Sequence, residues 1–139
     1  MRITAHAVGV DDDEYDDVLE AGFAEGEDGS GLAVAFQRAR SAPTPWQGVL
    51  RDEDDLFDNT YCIVVGGATV YGGLLSVEFT APTARFRFAP EDAAILRLGD
   101  SVLDVTFDAS PEELAEFTTM LRRVVTWGAP SQIPRLTGL

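Results

Sequence analysis

The chain contains no lysine, one cysteine and one histidine, and no apolar run long enough to cross a bilayer. Each absence removes a class of protein. A membrane-spanning helix needs roughly 18 consecutive apolar residues, and the opening Met1-Arg2-Ile3-Thr4-Ala5-His6 lacks the basic-then-apolar pattern of a secretory signal. The expected location is therefore the cytoplasm. With Cys62 alone, no intrachain disulfide can form. Its simplest reading is a small hydrophobe in a strand. Basic residues are scarce as well: all ten are Arg, against 24 acids, giving a formal net charge of −14. Such a field repels nucleic acid and anionic membrane and accelerates encounter with a basic partner.

The acids are unevenly placed. Residues 1–58 carry fifteen acids and four Arg, a net −11, whereas residues 59–139 carry nine and six, a net −3. The absence of lysine beside abundant Ala, Gly and Arg matches the codon usage of a GC-rich bacterium. What remains is ordinary globular composition, 45% hydrophobic and 24% charged over 139 residues, enough for one self-sufficient domain spanning 1–139.

Arg2 to Val10 alternates as a half-buried strand. The run Asp11-Asp12-Asp13-Glu14 cannot enter a core and reads as a loop, with Val18 to Ala24 extended after it. Glu25 to Gly31 is turn-rich, and Leu32 to Gln37 would be the returning strand of a hairpin. From Ser41 to Asp58, rich in Pro, Trp and acids, no period is sustained. It reads as a long surface connection and a candidate binding loop.

Thr60 to Val65 is apolar on both faces, as in a central strand. After the Gly66-Gly67 turn, Val70 to Phe79 reads as one strand in which Gly72-Gly73 marks a bulge or a close backbone approach. Pro82 turns the chain into Arg85-Phe86-Arg87-Phe88, placing Glu78 opposite Arg85 or Arg87 according to register. Pro90 to Leu98 is a short helix ended by Gly99. Leu103, Val105 and Phe107 alternate as a strand. Ser110-Pro111-Glu112-Glu113 is a capping box that opens a helix with Leu114, Phe117, Leu121 and Val124 on one face. The tail after Trp127 looks irregular.

The order predicts an α+β fold: an antiparallel sheet, a meander of about six to seven strands, with two C-terminal helices packed on one face. Val77, Phe79, Phe86, Phe88, Leu103, Val105 and Phe107 should share a core with Leu114, Phe117 and Leu121.

Motifs for chemistry fail on spacing. An EF-hand loop counted from Asp11 places Tyr15 at position 5 and Asp16 where Gly belongs, and one counted from Asp52 places Leu56 at position 5. Zinc would need more than one His and one Cys unless carboxylates filled the gap. Neither glycine pair has the spacing of a phosphate loop. Catalysis by a thiol and imidazole could use only Cys62 and His6, and these fall in an apolar run and on a polar strand face respectively. No cofactor, no metal and no catalytic residue is expected. The acidic runs keep two readings: a solvated surface, or a patch complementary to a cationic partner.

Several segments in succession resemble the Imm10 family of immunity proteins from bacterial polymorphic toxin systems. They are Arg2-Ile3-Thr4-Ala5, Ala21-Gly22-Phe23-Ala24-Glu25, Phe36-Gln37-Arg38, Asn59-Thr60-Tyr61-Cys62, Tyr71-Gly72-Gly73, Phe86-Arg87-Phe88, Ala93-Ala94 leading to Leu98-Gly99, and the closing amphipathic helix. The resemblance implies a non-enzymatic α+β domain that binds and neutralises a cognate toxin. Charge adds that the toxin is basic, a nuclease being the leading class. The expected contacts are Asp11, Asp12, Asp13 and Glu14, with Asp52, Glu53, Asp54 and Asp55 of the long connection and Trp46 as an aromatic anchor. The alternatives are a general acidic DNA mimic, which would bind unrelated basic proteins, and a small hydrolase using His6 and Cys62.

Overall fold

The computed structural model describes residues 1–41 and 60–139. Ten strands are found among them: β1 (Arg2–Ala5), β2 (Ala7–Asp13), β3 (Val18–Ala24), β4 (Ala33–Ala39), β5 (Cys62–Val65), β6 (Ala68–Tyr71), β7 (Leu74–Thr80), β8 (Thr83–Phe88), β9 (Val102–Phe107) and β10 (Arg135–Thr137). The same described residues form two helices, α1 (Pro90–Ile95) and α2 (Pro111–Val125), and a 3-10 turn at Pro130–Gln132.

The fold is α+β, but the strands divide into two five-stranded sheets rather than one meander. The first runs β1-β9-β8-β7-β10, with β1 and β10 parallel to their neighbours and the inner pairs antiparallel. The second, β2-β3-β4-β5-β6, is a plain antiparallel meander. Two runs that read as single strands are each cut in two where the chain changes sheet. The first cut falls at His6, whose amide donates to the Ala24 carbonyl at 3.0 Å. The second falls at Gly72-Gly73, with φ of 74° and 89°. These glycines are the crossing itself, held where L side chains are strained, and a Cβ on Gly73 would run into the Asp92 carboxylate. The bulge lies just beyond, between Leu74 and Ser76.

The sheets face each other across an aromatic core. Alternate residues of β3 and β4 point inward, so that Leu19, Ala21, Phe23, Val34 and Phe36 are buried. Phe36 stacks on Phe86 of β8 with centroids 5.7 Å apart, and Phe23 lies 5.4 Å from the same ring. Helix α2 enters the same space against β2, β3 and β4. Its Phe117 meets Phe107 at 5.4 Å and Phe23 at 6.1 Å. The helix begins as its sequence dictates: the Ser110 hydroxyl accepts from the Glu113 amide, the Glu113 carboxylate accepts from the Ser110 amide, and Pro111 takes the first turn. Arg122 and Arg123 meet the negative end of its dipole. Among the described residues only α2 forms a helical layer; α1 is six residues long and lies beside β6.

The expected core is buried as a set, Phe79 being only partly so. The Pro82 hairpin closes on Thr80 opposite Thr83 and sets Glu78 opposite Arg85. The Arg85 guanidinium nevertheless bonds Asp104 of β9, at 2.7 Å. Nor is the tail irregular. The Tyr61 hydroxyl, fully buried, donates to the Gln132 carbonyl at 2.8 Å and accepts from the Leu74 amide at 3.3 Å. This fastens the 3-10 turn to the crossing and presents β10 to the edge of the first sheet.

Candidate functional site

The acidic run is not a loop. Asp11, Asp12 and Asp13 are the last three residues of β2, opposite Glu20, Leu19 and Val18. An edge strand needs to bury only one face, and acids along it discourage pairing with other chains. Pairing also separates the three carboxylates. Asp12 points to the face that carries Leu19 and binds Arg40, Oδ1 to Nε at 2.6 Å. Asp11 and Asp13 point to the opposite face.

The turn that follows is built from its own acids. Asp13 Oδ1 accepts from the amides of Tyr15 (2.9 Å) and Asp16 (3.1 Å), the local bonding that favours Asp in turns. The carboxylate of Glu14 accepts from Arg40 at 3.2 Å. Asp17, at φ 57°, accepts from the Ser41 amide at 3.0 Å and its hydroxyl at 2.8 Å. Arg40 and Ser41 thus clasp the β2–β3 turn to the end of β4. The proximity of Asp13 pushes the Asp16 carboxyl above its ordinary range. At the tip stands Tyr15, 96% exposed, an aromatic ring that sequence reasoning passed over. The signal was legible: a ring flanked on both sides by acids cannot reach a core. Trp46, Asp52, Glu53, Asp54 and Asp55 lie outside the described residues.

Beyond the turn, the outward face of the second sheet is lined with small apolar residues. A trough of about 530 Å³ runs across it over Ala7, Gly9, Gly22, Ala33, Ala35 and Val64, with Glu20 at one end. The outward face of the first sheet differs in kind, alternating Arg2, Thr4, Thr83, Arg85, Asp104 and Thr106.

The two candidates for covalent chemistry have separate surroundings. The His6 ring lies 3.0 Å from the Glu25 carbonyl and 3.8 Å from Asp108. Cys62 is half-buried on the outward face of the second sheet, 3.7 Å from Gln37, and burial raises its thiol pKa. That favours the unreactive thiol. Among the described residues no three His, Cys, Asp or Glu side chains converge as a bound metal would require, and no helix is long and apolar enough to cross a membrane.

The family model of immunity protein 10, Imm10, matches residues 4–115. The chain belongs to the Imm10 family. The matched stretch reaches from within β1 into the first turn of α2, and so takes in the β2–β3 turn and the whole trough. No curated protein and no solved structure matches the chain. An immunity protein has a toxin as its kind of partner.

Proposed function

We propose that this protein neutralises a cognate bacterial toxin by forming a stoichiometric complex with it, without turnover. Its membership of the Imm10 family carries the proposal. The charge supplies the chemistry of the partner: a chain of net −14, most negative over its first 58 residues, is drawn to a basic toxin such as a nuclease, and steering raises the rate of a protective encounter. Contact is assigned to the acidic β2–β3 turn with Tyr15 at its tip. It extends to Trp46 and to Asp52, Glu53, Asp54 and Asp55. Loops and turns on a rigid sheet can vary in specificity without disturbing the core.

Isothermal titration against a toxin domain, which this reading expects the neighbouring gene to encode, tests the proposal. The expected outcome is one-to-one binding, with loss of toxin activity reaching completion at equivalence. Full toxin activity at a molar excess of this protein would overturn it.

A further inference from the structure

On the toxin-binding reading above, we infer that the outward face of the second sheet is the main toxin-docking surface, and that its occupant is a cationic toxin element seating apolar side chains in the Gly/Ala/Val trough. The argument starts from strand register. Ala7 pairs with Ala24, Gly9 with Gly22, Gly22 with Ala35, Ala35 with Val64, and Ala24 with Ala33. Paired residues share a face, so four strands, β2 to β5, bring small side chains to the one side that no described element covers. The opposite side is occupied, because Phe23 and Phe36 meet Phe86 and Phe117 there.

Solvent-facing sheet surfaces are ordinarily polar, as that of the first sheet is here. A mostly apolar trough on such a face gives a partner surface to bury. Small side chains suit the purpose: they let a partner approach the backbone closely, and Gly9 leaves open space where a Cβ would stand.

Charge selects the occupant. Asp11 and Asp13 share this face with Glu20, whereas the arginines of β4 and its end are directed elsewhere: Arg38 lies 5.2 Å over the Trp127 ring and Arg40 is held by Asp12. The described face therefore carries carboxylates and no cation. An anionic partner would be repelled, and a second copy of this chain would set acid against acid; a Lys- or Arg-bearing element meets opposite charge at the acidic end and apolar surface beside it.

The test uses Ala35→Arg, at the centre of the trough, and Gly9→Arg, where the new side chain has room, with Thr106→Arg on the outward face of the first sheet as a control of equal charge. Thermal melts establish that each variant is folded. Binding to the neighbouring gene's toxin domain should weaken on the order of a hundredfold for Ala35→Arg and clearly for Gly9→Arg, and stay within about threefold for Thr106→Arg. Wild-type affinity in both trough variants, while the native chain still binds, would place the interface elsewhere and leave the immunity reading standing. Failure of the native chain to bind would remove both. Sedimentation equilibrium covers a second occupant: a native dimer made monomeric by Ala35→Arg would assign the trough to another copy and overturn the proposal. Thiol labelling of Ala35→Cys in a Cys62→Ser background covers the remaining one. The thiol should react readily in the unbound chain and be protected in the complex; protection without toxin would mean that the chain's own residues fill the trough, and would equally overturn it.

Discussion

Tyr61 is a phenol with no exposed surface, and both of its hydrogen-bonding capacities are used inside the protein, toward Gln132 and Leu74. Tyr61→Phe keeps the ring and leaves those backbone groups without their partner, so it should cost about 1–3 kcal/mol at neutral pH, measured by urea unfolding. Burial raises its pKa strongly. A group whose folded pKa lies above its unfolded value contributes fully below the unfolded value, about 10 for Tyr, and loses the contribution as pH rises above it. The stability gap between native and Tyr61→Phe should accordingly narrow above about pH 10, and a gap that widened there would mean the phenol is not held neutral. The sequence placed Tyr61 in a strand-like run but could not disclose its partner 71 residues away. The acids misled for a different reason. Asp11 to Asp13 read as a loop because charge excludes them from a core, yet an edge strand asks only that one of its faces be covered, and Arg40 meets the inward Asp12.

At the scale of elements, α2 was the most legible, since capping box, first-turn proline, apolar spacing and terminal arginines all agree within one local stretch. Phe117, buried among Phe23 and Phe107, should cost about 3–5 kcal/mol as Phe117→Ala. Ser110→Ala removes only the cap and should cost about 1 kcal/mol. An order reversed between the two in chemical denaturation would mean that the helix is anchored by its end rather than by its face. Gly73→Ala tests the crossing between sheets. At φ 89° with the Asp92 carboxylate in the way, it should be destabilised by about 1–3 kcal/mol, more than an exposed turn glycine such as Gly67, whose Cβ would meet nothing. The splitting of strands was illegible because small residues hide it: Ile3 and Ala5 face the core from β1 while Val8 does so from β2, yet outward Ala7 reads as a continuation of the Ile3 and Ala5 face, and Gly72-Gly73 has no side chain to carry a period. Equally illegible was β10, three residues whose only signal is their partner β7.

For the whole molecule, sheet membership is decided by pairings such as β1 with β9, roughly a hundred residues apart, and no local pattern encodes them. Charge, by contrast, is legible at once, and its distribution on the fold gives it direction. Arg2, Arg85, Arg87 and Arg135 stand on the outward face of the first sheet beside Glu78 and Asp104, while the charged residues on the described outward face of the second sheet are all acids. A basic toxin should therefore be oriented as well as attracted. Association with the toxin domain, followed by stopped-flow at low and at high salt, should slow by about tenfold or more as salt screens the field, with little change in dissociation. Neutralising Asp52, Asp54 and Asp55 together should reproduce most of that slowing at low salt and have little effect at high salt, because peripheral charges act mainly on encounter. Trp46→Ala should do the opposite, speeding dissociation at either salt, as loss of an aromatic anchor does. A lowered melting temperature with unchanged dissociation would instead make Trp46 part of the fold. If both variants associate and dissociate as the native chain does, the acids outside the trough serve solubility, and the trough must hold the toxin by itself.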